Sequence, residues 1–156
     1  GKIRAFGISS IRPNVVRKVL SMSSPVTIMS QYSPLDRRPE EDIFPQVEKS
    51  NTRILVRGAL AKGILLDKPC QAYLDYSLQE VDQIKNWIKD AGYSPLVVLL
   101  RFGLEQKSVG SLVLGASNTK QVQQFAKAFA DLKKIPSDFI HLLKSKYSAN
   151  RYLEHR

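Results

Sequence analysis

Ser111-Leu112-Val113-Leu114-Gly115-Ala116-Ser117-Asn118 is the stretch on which the reading of the whole chain turns. Its apolar residues suit a short buried strand over 111–114. Gly115 ends that strand, and Asn118 with Gln121 opens a helix predicted to run to about Phe129. The same strand, turn and helix order recurs upstream. Ile3 to Ile8 is expected to be a strand ending at Ser9-Ser10, and Pro13 starts a helix with Val15, Val16, Val19 and Leu20 on one face. Val26 to Gln31 is a second strand, closed by Tyr32-Ser33-Pro34. Glu40-Glu41-Asp42 is expected to open a helix to about Lys49, where the acids suit its positive end. Arg53 to Val56 is the third strand, stopped by Gly58 and Gly63.

The interval between the third and fourth strands reads as helical throughout. Ser77 and Glu80 form a capping box ahead of Val81, Ile84, Trp87 and Ile88, which places Trp87 in the core, and the helix stops at Gly92. Ser94-Pro95 is expected to cap and start another helix, and Pro136-Ser137-Asp138 a last amphipathic one. Four alternations of strand and helix argue a parallel sheet with covering helices. Ligands bind such sheets at the carboxyl ends of the strands.

Composition bounds the function. The 156 residues are one domain's worth, expected to form a single domain over 1–156, and 43% hydrophobic content excludes disorder. The net charge of +10 is spread along the chain, with 11 basic and 5 acidic residues in 1–62 and 13 and 9 in 63–156. No basic run exceeds two residues and no nucleic-acid-binding motif is present, which argues against nucleic acid as the partner. One cysteine, Cys70, excludes an internal disulfide, and His141 and His155 are too few for a Cys/His zinc cluster. No apolar run approaches the length of a membrane span and no signal segment opens the chain, so a soluble, cytoplasmic protein with no membrane partner is expected. The opening Gly1-Lys2-Ile3, without an initiator Met, reads as a piece of something longer.

Taken in order, the four strand ends resemble the second half of an aldo-keto reductase. Lys2-Ile3-Arg4 followed by Gly7-Ile8-Ser9-Ser10 resembles the end of the fifth barrel strand, and Ser30-Gln31-Tyr32-Ser33-Pro34-Leu35 the sixth. Leu60-Ala61-Lys62-Gly63-Ile64-Leu65 resembles the exit from the seventh, and Gly115-Ala116-Ser117-Asn118, with Gln121 and Gln124 following, the eighth. The resemblance implies half of a (β/α)8 TIM barrel: four parallel strands, covering helices and a carboxyl-terminal helical tail. It also implies an oxidoreductase parent that transfers hydride between a nicotinamide and an aldehyde or ketone.

By resemblance, Ser9, Ser10 and Gln31 meet the nicotinamide carboxamide, for which hydroxyl and amide groups supply donors and acceptors. The plainer reading of Ser9 and Ser10 is helix capping. Gly58, Leu60, Lys62 and Gly63 fall where the family approaches the pyrophosphate, and Gly115, Ser117, Asn118 and Gln121 where it meets the adenosine end. Two positions depart from the family. Arg57 stands where many members stack an aromatic ring, and no Lys or Arg occupies the places of Gly115 and Gln121, so NADPH, with NADH as the alternative, is a family-level expectation. The family's Asp, Tyr, Lys and His all lie upstream of Gly1 in register, so no catalytic residue is assigned and the isolated chain is expected to be inactive.

The expected partners are therefore the missing amino-terminal half-barrel or a second copy, with a small carbonyl substrate only in the complete barrel. Ile3, Ala5, Ile28, Ile54, Leu112 and Leu114 are the strand residues expected to include those lining the open face. The alternative is a non-catalytic cofactor-binding or protein-interaction module.

Overall fold

Four short strands pair in chain order, all parallel: β1 (Gly7–Ser9), β2 (Thr27–Gln31), β3 (Arg53–Arg57) and β4 (Val109–Val113). The computed structural model describes residues 1–154. Helix α1 (Pro13–Met22) links β1 to β2, and the five-residue α2 (Ile43–Val47) links β2 to β3. Helices α3 (Leu78–Asp90) and α4 (Pro95–Leu104) fill the interval before β4, and α5 (Thr119–Ala130) and α6 (Ser137–Lys146) follow it. Each crossover returns the chain along one face of the sheet, as parallel pairing requires.

Side-chain alternation divides the sheet into a covered and an open face. Ile28, Ser30, Ile54 and Val56 are buried beneath the helices. The apolar α4 packs there too, burying Val97, Val98, Leu99, Leu100 and Phe102. The other face carries three tiers set by the register. Gly7, Thr27 and Arg53 are level with one another; Ser9, Met29, Leu55 and Ser111 form the next tier; Gln31, Arg57 and Val113 form the last, at the carboxyl ends. Gly110 is the extra residue of a bulge, since Val109 faces Ile54 and Ser111 faces Leu55. A Cβ on Gly110 would lie 3.1 Å from Cβ of Arg53.

This phase corrects the expected lining of the open face. Ile28 and Ile54 are fully buried on the helix side, and Leu112 and Leu114 pack against the same core. Ile3 and Ala5 lie outside β1, which starts only at Gly7, and Ile3 is 71% exposed. The open face is instead mixed: hydroxyl, amide and guanidinium groups flank Met29 and Leu55. Several boundaries move as well. Glu40 closes a 3-10 turn (Arg38–Glu40) instead of opening a helix, and α2 ends before Lys49. Residues 64–76 form no helix, and β4 begins two residues before Ser111. Ser77 and Glu80 make the full capping box, whereas Ser94 precedes α4 without a side-chain cap bond. Trp87 stacks on Phe139 at 4.9 Å against the core, in keeping with its structural reading. His155 lies outside the described residues.

Glu40 turns inward because a clamp forms around it. The Arg37 guanidinium, 10% exposed, donates to Glu40 Oε2 through Nε (3.1 Å) and Nη2 (2.7 Å). Its Nη1 donates to the carbonyls of Lys144 (2.8 Å) and Tyr147 (2.7 Å). The Arg37 amide donates to Asn150 Oδ1 at 2.7 Å, and Tyr76 hydroxyl to the Ser148 carbonyl at 2.7 Å. Glu40 also accepts from the fully buried Tyr32 and lies 3.3 Å from Lys144 Nζ. The segment after α6 is thereby fixed across the loop that leaves β2.

Burial works to raise the Glu40 carboxyl, but the Arg37 bonds and the Lys144 charge outweigh it and hold it below its ordinary 4.5. A carboxylate depressed in the folded state stabilises above the unfolded value, and that contribution is lost as pH falls through the folded one. Glu40→Gln is therefore expected to be less stable than the parent at pH 7. The gap should close as pH drops below 4.5, and urea titrations of both proteins at pH 7 and pH 3 would show it. A gap of equal size at both pH values would mean that the charge of Glu40 is not its source.

Candidate functional site

The last tier of the open face brings together two of the expected site residues. Gln31 and Arg57 are register partners at the carboxyl ends of β2 and β3, and Gly58 follows directly. Gly58 adopts φ +70°, the left-handed region open to glycine, and a Cβ there would meet Gln31 Cγ at 3.0 Å. Gly58→Ala is expected to destabilise by about 1–2 kcal/mol from the backbone alone and to push Gln31 off its present position. Urea midpoints would check this, and an unchanged midpoint would show that the turn relaxes without cost.

Ser9 sits one tier lower and two strands from Arg57, level with Met29. Ser10 lies beyond β1. Its amide donates to the Met29 carbonyl at 3.1 Å, and its hydroxyl accepts from the Arg12 amide at 3.1 Å, so part of its role is turn chemistry at the entry to α1. Gln31 is held from the other side by the loop at 64–76, where its Nε2 donates to Tyr73 Oη at 2.8 Å.

A groove of about 1310 Å³ opens beside Gly58. Leu60, Lys62, Gly63, Gly115 and Gln121 line it, so six of the expected residues, counting Gly58, share one concavity. Gly63 at φ +84° and Lys62 at φ +57° shape its near wall. The amides of Ala61 and Gly63 are spent on the carbonyls of Gly58 and Leu60, which closes the loop on itself. The floor is apolar, including Leu65, Leu96 and Phe125. Lys62, Lys68, Lys85, Lys89 and Lys127 outnumber Asp67 and Asp131 around it, giving the groove a positive field that favours an anion.

At the far rim, Ser117 and Asn118 meet Gln121 instead of lining the concavity. Asn118 Oδ1 accepts from the Gln121 amide at 3.0 Å, and Gln121 Oε1 accepts from the Ser117 amide at 2.8 Å and hydroxyl at 3.1 Å. Asn118 is thus the N-cap of α5 as expected. Four of the groove's lysines carry no signal in the sequence: Lys68, Lys85, Lys89 and Lys127 are scattered charges with no motif around them. Tyr73 carries none either, because its segment reads as helical and the structure makes it a loop.

A match to the Aldo/keto reductase family covers residues 1–148. The chain belongs to that family. It is 34% identical over 167 aligned positions to the uncharacterized oxidoreductase YqkF of Bacillus subtilis (strain 168), covering 100% of this chain and 54% of that protein. It is 24% identical over 140 positions to the NADH-specific methylglyoxal reductase of Escherichia coli (strain K12), covering 80% of this chain and 43% of that protein. In structure it superposes on the holo form of aldo-keto reductase AKR11C1 from Bacillus halodurans with a TM-score of 0.90 at 34% identity, covering 100% of this chain and 54% of that one. The chain therefore spans about half the length of these aldo/keto reductases, and its four-stranded sheet corresponds to half of their TIM barrel. Among the described residues, no helix is long and apolar enough to cross a membrane, and no cluster of three or more His, Cys, Asp or Glu could hold a metal ion.

Proposed function

We propose that this chain is the cofactor-binding half of an NAD(P)H-dependent aldo/keto reductase, working in the cytoplasm with a complementing half-barrel on a small aldehyde or ketone. The observation that carries the reading is the adjacency of the polar tier, Gln31 and Arg57, to the mouth of the cationic groove at Gly58. A dinucleotide needs both: a carboxamide-binding end with mixed donors and acceptors, and an elongated, positively charged trough for its phosphates. When bound, it supplies the hydride. Ser9 and Gln31 would orient the carboxamide, and Gly58, Leu60, Lys62 and Gly63 would receive the pyrophosphate. Gly115, Ser117, Asn118 and Gln121 would meet the adenosine end, with Ser10 and Arg57 bordering the ring.

The positive groove suits the phosphates of either dinucleotide, and NADPH, which carries one phosphate more, is the family-level preference. NADH remains the alternative, the name of the Escherichia coli relative giving it a place in the family. The complementing half would be an amino-terminal half-barrel or a second copy, packed on the open tiers. A non-catalytic binding module is the second reading, because among the described residues we identify no group set up to protonate a carbonyl oxygen.

Calorimetric titration of NADPH into the purified chain is the direct test. Binding is expected, and the double variant Ser9→Ala with Gln31→Ala should lose about 0.5–1.5 kcal/mol for each hydrogen bond removed. Absence of heat at millimolar NADPH and NADH would overturn the cofactor reading.

A further inference from the structure

We propose that Tyr73 is a positioning residue that sets the rotation of the Gln31 side-chain amide, and with it the donor and acceptor that Gln31 turns to a carboxamide ligand. The inference rests on the dinucleotide reading above and deepens it. A glutamine's terminal torsion is broad when nothing holds it. Here the Gln31 Nε2 donates to Tyr73 Oη at 2.8 Å, while Gly58 leaves only 3.0 Å between Gln31 Cγ and a would-be methyl group. Gln31 is thus held between a glycine that lets it pass and a phenol that orients it. One N–H goes to the phenol; Oε1 and the second N–H remain, which are the acceptor and donor a primary carboxamide requires.

Tyr73 is itself firmly placed. It is 7% exposed, and its backbone exchanges two 3.0 Å hydrogen bonds with Tyr76 across a turn in which Leu74 takes φ +51°. On the groove side, Lys62 Nζ lies 5.8 Å from the Tyr73 ring centroid, within reach of a cation–π contact. One ring therefore touches the amide at the nicotinamide end and the lysine at the groove. A loop with no regular structure between 64 and 76 gains a reason to lie where it does.

The experiment is Tyr73→Phe, which removes the hydroxyl and keeps the ring and its contact with Lys62. Affinities for NADP+ and for 2′,5′-ADP, which lacks the nicotinamide, are measured by calorimetry on the parent, the variant, Gln31→Ala and the double variant. The expected result is a roughly 2- to 12-fold loss for NADP+, none for 2′,5′-ADP, and no added loss when Gln31 is already alanine. Equal losses for both ligands would assign Tyr73 a merely structural role and overturn the proposal, as would no loss at all. If the parent chain binds neither ligand, the dinucleotide reading falls and takes this inference with it. If the parent binds both and the variant is unchanged, only this inference falls.

Discussion

Replacing Arg37 with alanine is expected to lower the free energy of unfolding by about 3–5 kcal/mol, the range for removing one partner of a buried ion pair. Three losses coincide there. Glu40, 18% exposed in its side chain, would keep its charge with only Lys144 to answer it, and the carbonyls of Lys144 and Tyr147 would lose their donor. The guanidinium's share of the hold on the segment after α6 would go with them, leaving the Asn150 and Tyr76 bonds. Domains of this kind hold about 5–15 kcal/mol in total, so the variant would sit near the edge of folding. Arg37→Lys should fall between, since an ammonium can face Glu40 but cannot fork to two carbonyls as well. Urea denaturation followed by circular dichroism checks both, and an alanine variant within about 1 kcal/mol of the parent would place the clamp among ordinary surface pairs.

Purified 156-residue chain is expected to reduce a generic aldehyde such as nitrobenzaldehyde no faster than background, even with saturating NADPH. General acid–base catalysis is worth typically 10²–10⁴-fold, and its donor must titrate near the working pH. Five tyrosine hydroxyls of this chain are tuned the other way. Burial is the leading cause that pushes Tyr32, Tyr73, Tyr76, Tyr147 and Tyr152 upward, so each holds its proton more tightly than free phenol. Lys62 lies over the Tyr73 ring, 5.8 Å from its centroid, and the charges of Arg38 and Arg57 that favour the Tyr73 phenolate do not outweigh its burial. Turnover by chain shown by mass to be free of longer species would defeat the expectation. It would also identify a proton donor within residues 1–156.

What could be read in advance follows from the range of each interaction. The capping box at Ser77 and Glu80 and the N-cap at Asn118 are settled within four residues, and both stand as read. The strands were located by their apolar runs, and the family by four short motifs at their ends. The direction in which each strand residue points was not readable. Ile28 and Ile54 suit either face of a parallel sheet, and only the helices packed on them decide which is covered. Glu40 shows the same limit. Its acidic neighbourhood suggested a helix start, but Glu40 turns inward to Arg37, whose guanidinium is set by the carbonyls of Lys144 and Tyr147, and to Lys144 itself. Lys144 and Tyr147 lie more than a hundred positions away and are brought near by tertiary packing. The site divided along the same line. Gln31, Gly58 and Gly63 could be placed from local motifs, whereas Tyr73 meets Gln31 across 42 positions and carries no local signature.

The clamp has a consequence for the order in which the protein is made. Arg37 and Asn150 are 113 positions apart, and a ribosome adding about 5–20 residues per second needs roughly 6–23 s to cover that distance. Until then the β2 exit is complete in sequence but lacks the carbonyls that receive its guanidinium, and Tyr32 and Glu40 must wait in a half-built pocket. The sheet's own pairings can form as each strand emerges. Closure of the loop beside the candidate cofactor site waits for the segment from Lys144 to Asn150, so a ribosome stalled before Asn150 would hold a nascent chain with its strands in place and its β2 exit loop unlatched.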